Sequence, residues 1–238
     1  MEKRKSAPRV LAVVFDLDGT LVDSLADIAA AVNGTLVAHG RRPHPLEAYK
    51  TMVGWGLKQL LVTASADQPF APADVETTYQ EVLAAYRAKP VVHTFAYAGI
   101  GNLLDRLDPR VSLGVFSNKE DGMTKTIVGS LFPSVRFLSV IGARSGRPHK
   151  PDPEVLLEML DAWGVDPSDC AYLGDSDVDM ETARRAGVIA CGAAWGFRGE
   201  AELRASGAQE VFADPGAFGR WLEPRLVEPG QIRPSDED

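Results

Sequence analysis

The feature that most constrains this chain is a series of short, continuous apolar runs. They fall at residues 10–15, 111–116, 137–141, 170–173, 188–191 and 210–213. Each is rich in β-branched, aromatic or small apolar residues and lacks polar alternation. Such runs read as strands buried on both faces, the kind found in parallel sheets. Helical patterns fill the gaps. Ile100, Leu103, Leu104 and Leu107 share one helical face, as do Val155, Leu156, Met159 and Leu160, and residues 179–186 lead into Gly187 as a helix stop. Strands alternating with helices predict an α/β fold, an open Rossmann-like parallel sheet. In such sheets, ligands bind beyond the carboxyl ends of the strands.

Residues 24–93 break the alternation and contain no convincing buried strand. Leu25, Ile28, Ala29, Val32 and Leu36 fit one helix, ended by Gly40 and Pro43. Leu57, Leu60 and Leu61 fit a shorter helix after Gly54-Trp55-Gly56. Val75, Tyr79, Val82, Leu83 and Tyr86 fit a third, ended before Pro90. The expected organisation is an α/β core from residues 1–23 and 94–226, a helical insert at 24–93, and a mobile acidic tail at 227–238.

Composition narrows the function. The 238 residues carry 25 Lys and Arg against 33 Asp and Glu, a formal net charge of −8. That disfavours a nucleic-acid partner, because phosphate neutralisation needs a basic surface. The two cysteines, Cys170 and Cys191, are too few for a disulfide framework or a Cys-rich zinc site, and read as buried free thiols of a reducing compartment. The basic N-terminus precedes an apolar run that Asp16 cuts short of a signal-peptide core, and no stretch approaches a membrane span. A cytoplasmic location without membrane association is the expectation.

Four polar segments follow predicted strands. In Asp16-Leu17-Asp18-Gly19-Thr20, side chains two apart on an extended chain point the same way, about 6–7 Å apart. One carboxylate could attack an electrophile while the other transfers a proton. In Ser117-Asn118-Lys119, a hydroxyl and a helix-starting N–H suit an anionic oxygen, and Ser117 or Asn118 would cap the next helix. In His149-Lys150-Pro151-Asp152-Pro153, the prolines stiffen the backbone around Lys150, and His149 reads as a surface residue. In Gly174-Asp175-Ser176-Asp177-Val178-Asp179, acids alternate as at the start of a calcium loop. Met180 and Ala186 stand where that loop needs glycine and glutamate, so Mg²⁺ fits better. The topology would gather all four segments at one sheet edge.

These residues resemble the haloacid dehalogenase-like hydrolases over most of the chain. The opening Phe15-Asp16-Leu17-Asp18-Gly19-Thr20-Leu21-Val22-Asp23-Ser24 is highly specific, and Ser117, Lys150 and Gly174-Asp175-Ser176-x-x-Asp179 fall where the family's other motifs belong. The helical insert is similar to the cap of the branch containing phosphoglycolate phosphatases. Val53-Gly54-Trp55-Gly56-Leu57, Asn118-Lys119 and Ala194-Trp195-Gly196-Phe197-Arg198 echo the same branch. Ser117 replaces a frequent threonine with its hydroxyl kept, and Ala98 stands where proline is usual.

The resemblance implies an Mg²⁺-dependent phosphatase acting on a small phosphorylated metabolite, 2-phosphoglycolate or a similar monoester. Asp16 would be the nucleophile, and Asp18 the acid and then the base. Asp16, the Asp18 backbone carbonyl and Asp175 would bind Mg²⁺, and Asp179 would hold a metal-bound water or orient Lys150. Ser117, the Asn118 N–H and Lys150 would grip phosphoryl oxygens. For a second carboxylate on the substrate, Lys58 is the first candidate and Lys119 and Arg198 are others, with Trp55 a lid or packing residue. A phosphosugar mutase of the same fold would share Asp16 and Asp18. A haloacid dehalogenase would need neither Asp18 nor Mg²⁺, and a phosphonate hydrolase would need a cap lysine that residues 25–39 lack. A regulatory protein that only binds a phosphometabolite would need no nucleophile. Oligomeric state is not legible.

Overall fold

The structure, a computed structural model, describes residues 9–108 and 110–226. Strands β1 (Ala12–Phe15), β4 (Ser112–Glu120), β5 (Ser139–Ala143), β6 (Cys170–Gly174), β7 (Ile189–Ala193) and β8 (Glu210–Phe212) form one sheet in the order β5-β4-β1-β6-β7-β8. All neighbours are parallel. The expected α/β parallel sheet is therefore present. The acidic tail expected at 227–238 lies outside the described residues.

Each face of the sheet explains why the strand runs are continuous. Val13 and Phe15 pack into one apolar cluster with helices α5 (Ile100–Leu107) and α10 (Pro215–Leu222). Ala12 and Val14 point the other way, against helices α7 (Glu154–Ala162) and α8 (Asp177–Ala186). Side chains alternate across a strand, so a doubly covered strand needs apolar residues at every position.

Register then fixes the location of any site. Phe15 pairs with Val115 on one side and Leu173 on the other. β1 and β6 therefore end side by side while β4 runs on past them, and the Asp16 N–H still donates to Leu173 O at 2.9 Å. Asp16, Ser117 and Asp175 follow within two residues of that common edge.

Between β2 (Val22–Asp23) and β3 (Phe95–Ala96) the described chain is helical: α1 (Leu25–Ala38), α2 (Tyr49–Met52), α3 (Leu57–Ala64) and α4 (Val75–Ala88). β2 and β3 pair antiparallel and form the two-way connection to the sheet. Asp27 clamps that connection. Its carboxylate accepts from the N–H groups of Val92, His93 and Thr94 at 2.9–3.1 Å and from Thr94 Oγ1 at 2.7 Å. Burial opposes the charged form of Asp27, but these donors outweigh it and hold the carboxyl below its ordinary range.

Two boundaries differ from the sequence reading. The expected helix start at Ser117 or Asn118 is instead a continuation of β4. The register shifts between Phe116 and Glu120, and helix α6 (Asp121–Leu131) is capped by the Glu120 carboxylate accepting from Met123 N. Helix α8 begins at Asp177, earlier than expected. Ser176 caps it, and Asp179 reaches back to complete a capping box.

Candidate active site

At the strand ends the chain builds a buried charged floor. Asp16 follows β1, Lys150 lies on the loop between β5 and α7, and Asp175 and Asp179 lie around the start of α8. The Lys150 ammonium sits 2.9 Å from Asp16 Oδ1 and 2.6 Å from Asp179 Oδ1, and is itself only 2 % exposed. Asp179 Oδ2 accepts from Ser176 N at 3.0 Å and Ser176 Oγ at 2.6 Å, so both of its oxygens are engaged. Asp179 thus meets the Lys150 ammonium through one oxygen and caps α8 with the other. Asp175 accepts from Phe197 N at 2.7 Å and from Thr20 Oγ1 at 3.4 Å. Gly19 lies against it with φ +83°; a side chain there would be strained and would collide with the Asp175 carboxylate.

The electrostatics of this floor are unbalanced. Asp16, Asp175 and Asp179 can each offer an oxygen within 4.8 Å of the others, with all three buried. Burial pushes Asp16 up to about 7; Lys150 opposes this, while Asp179 and Asp18 add to it. Burial, with Asp179 and Asp16 beside it, pushes Asp175 well above the carboxylate range. Burial alone would lower Lys150, yet Asp16 and Asp179 hold it well above its ordinary value. Asp16 Oδ1 lies within ion-pair distance of Lys150 but makes no hydrogen bond. A hard divalent cation fits this set: crowded oxygen donors, one of them unpartnered, with a single ammonium between them.

Asp18 is placed differently. Its carboxylate stands outside that cluster and is held by Lys119 Nζ at 2.8 Å to each oxygen and by the Ser24 hydroxyl. Ser117 and Asn118 line the same cleft, both buried. Asn118 Nδ2 donates to Gly54 O and Lys150 O, each at 3.0 Å, and so ties the insert to the floor.

The specificity candidates separate. Lys58 is outside the cleft lining and pairs with Glu76 at 2.7 Å on the surface. Trp55 is 47 % exposed, although its neighbours Gly54 and Gly56 line the cleft. Arg198 is buried and lines the cleft, but its guanidinium donates to Thr51 O at 3.2 Å and Val53 O at 3.1 Å and pairs with Glu202 at 2.9 Å. Its role in this structure is to hold the insert's loop. Lys119 also lines the cleft, with its ammonium paired to Asp18 at 2.8 Å. His149 is exposed, and Cys170 and Cys191 are buried free thiols, with burial pushing Cys170 up to about 12.

Two participants were not anticipated. Ser24 closes the opening motif and holds Asp18. Tyr86, readable only as an apolar position of a helix, brings its ring to the cleft with Lys119 Nζ 4.7 Å from the ring centroid. A tyrosine at a core position is the available signal, because its hydroxyl needs a partner.

The haloacid dehalogenase-like hydrolase profile matches residues 13–193. The chain belongs to that family. A phosphoglycolate phosphatase of Rhodospirillum rubrum is 34% identical over 218 residues, covering 89% of this chain and 90% of its own. A phosphoglycolate phosphatase of Aquifex aeolicus is 33% identical over 186 residues, covering 78% and 85%. Within its family, this chain is a hydrolase of the phosphoglycolate phosphatase-like kind. Solved structures carry the same fold. A protein of Haemophilus somnus described as a predicted phosphoglycolate phosphatase superposes with TM-score 0.81 at 23% identity, covering 89% and 97%. A haloacid dehalogenase-like family hydrolase of Streptococcus pneumoniae gives 0.80 at 23%, covering 90% and 98%.

Proposed function

We propose that this haloacid dehalogenase-like hydrolase is an Mg²⁺-dependent phosphatase that cleaves a small phosphate monoester, 2-phosphoglycolate first among candidates, through a phosphoryl-Asp16 intermediate. The observation that carries the reading is the pairing of two unlike carboxylates. Asp16 is buried against Lys150 beside Asp175 and Asp179. Asp18, two residues on, is held apart from them by Lys119 and Ser24.

In the reaction, Asp16 attacks phosphorus and the ester P–O bond breaks. The departing alkoxide takes its proton from Asp18. Water then attacks the phosphorus, Asp18 accepts the proton, and the bond to Asp16 breaks to release phosphate. Ser117, the Asn118 N–H and Lys150 hold the phosphoryl oxygens during both transfers, where positioning and charge stabilisation supply most of the catalysis. Mg²⁺, held by Asp16, Asp175 and the Asp18 carbonyl, would neutralise charge on the phosphoryl group when bound. Asp179 keeps the Lys150 ammonium aimed at Asp16.

The substrate choice leans on the names of the relatives and on Lys119, a cation at the cleft suited to a second anionic group. The partner is therefore a small phosphorylated metabolite; among the described residues no helix is long and apolar enough to cross a membrane. Both free thiols are buried, which suits the expected cytoplasmic location. A panel of phosphate esters with Mg²⁺, read as released phosphate, tests the function. We expect turnover that EDTA abolishes. Isomerisation without phosphate release would favour the mutase, and binding without turnover would favour the regulatory protein.

A further inference from the structure

The leaving-group side of the cleft is built almost entirely by the insert, and it is apolar: Ile28, Val53, Leu57, Leu60 and Leu83 line it. One polar atom interrupts that wall. Tyr86, on α4, is 3 % exposed, and among the described residues its buried hydroxyl has no acceptor, only the Lys119 ammonium beside it. Leaving a buried hydroxyl unpaired costs about 1–3 kcal/mol, and phenylalanine would fill the same space without that cost. Packing therefore explains the ring but not the oxygen. A donor left without an acceptor on a residue that lines the cleft is explained by a ligand that supplies the acceptor.

The surroundings say which acceptor. The Lys119 ammonium lies 4.7 Å from the Tyr86 ring centroid and pairs with Asp18 at 2.8 Å, and Arg198 is occupied by two backbone carbonyls and Glu202. Burial pushes the Tyr86 phenol up to about 12, with Lys119 opposing, so it stays a neutral donor in the working range. A donor beside an ammonium favours an anionic oxygen over a neutral one. The apolar insert residues Ile28, Leu57, Leu60 and Leu83 favour a short leaving group.

Resting on the phosphatase reading of the same cleft, we propose that Tyr86 is a specificity residue that reads the leaving group. Its hydroxyl donates to a carboxylate carried by that group, with Lys119 as the neighbouring cation. The substrate class is a phosphate monoester of a short hydroxy acid. Tyr86 takes no part in the transfer of the phosphoryl group.

The test compares 2-phosphoglycolate with ethyl phosphate, which replaces the carboxylate by a methyl group. Calorimetric Kd values for both are measured with Mg²⁺ in the full-length Asp16→Asn protein, which cannot turn either over, with and without Tyr86→Phe. We expect Tyr86→Phe to cut the preference for 2-phosphoglycolate by about tenfold or more, the scale of a hydrogen bond to a charged group. The thermal midpoint of the free protein should stay level or rise, because an unpaired buried hydroxyl has been removed. An unchanged preference would overturn the assignment, as would an equal weakening of both ligands or a lowered midpoint. Because the readout is binding, it stands apart from the phosphatase reading. A wild-type protein that releases no phosphate, yet loses its carboxylate preference on Tyr86→Phe, would sink the catalytic reading and leave the subsite intact.

Discussion

The floor and the insert wall of one cleft follow opposite rules. On the floor, Asp16, Asp175, Asp179 and Lys150 are buried charges that hold one another, and nearly every oxygen is engaged. On the wall, Leu57, Leu60 and Leu83 offer only apolar surface, broken by one unpaired hydroxyl. A site built for one transferring group needs a rigid, charge-matched floor. A site that must select a leaving group needs a surface whose few polar atoms wait for the ligand. The two regions are joined by single contacts, notably Asn118 to Gly54 and Lys119 to the Tyr86 ring.

The largest expected effect breaks the floor's chemistry. Asp16→Asn should lower the rate of phosphate release by about 10⁴-fold or more, as loss of a covalent nucleophile does; single-turnover assays would detect a smaller loss. Lys150→Ala breaks the floor's electrostatics. It leaves Asp16 and Asp179 buried without their cation and should destabilise the fold by about 3–5 kcal/mol, measured by urea unfolding.

Asp27→Ala tests the joint between the regions. Three backbone N–H groups lose their acceptor, and we expect a loss of about 1–3 kcal/mol by the same measurement. The sign with pH follows from the lowered folded-state value. Asp27 contributes stability above its unfolded value near ~3.9 and loses it as pH falls through the folded value. Acid titration of wild type and Asp27→Ala should therefore converge at low pH.

Asp16 has the opposite sign. It is raised to about 7 without metal, so the folded protein holds its proton more tightly than the unfolded chain. Its contribution to metal-free stability should fall as pH rises from about 4 to 7 and then level off. Metal must displace that proton, so Mg²⁺ affinity should increase between pH 6 and 8, by at most about tenfold per unit from this group. Calorimetric titration at the two pH values checks it. The smallest effect concerns Lys58. Its ion pair with Glu76 lies on the surface, where such pairs matter little. Lys58→Ala should leave kcat/KM for 2-phosphoglycolate within about twofold, and a larger drop would move the leaving-group subsite away from Tyr86.

The floor is legible in the sequence for a physical reason. Asp16, Ser117 and Asp175 each follow an apolar strand run, and a parallel sheet brings such positions to one edge. The wall is not legible in that way. Tyr86 occupies a helical core position where period alone assigns packing, and only its unpaired hydroxyl distinguishes it. Lys58 follows a conspicuous glycine pair, yet its own helix carries it to the surface beside Glu76. The residues of β2 and β3 are too few to carry a period, and β4 passes through Ser117 and Asn118 because Glu120, not either of them, caps α6.

One measurement tests the central claim most directly. Acid-quenching the Mg²⁺-loaded enzyme during turnover of 2-phosphoglycolate, followed by peptide mass analysis, should find a phosphoryl increment on the peptide that holds Asp16. The increment should localise to Asp16 and be absent from Asp18. Phosphate release with the increment on another residue, or on Asp18, would contradict the account.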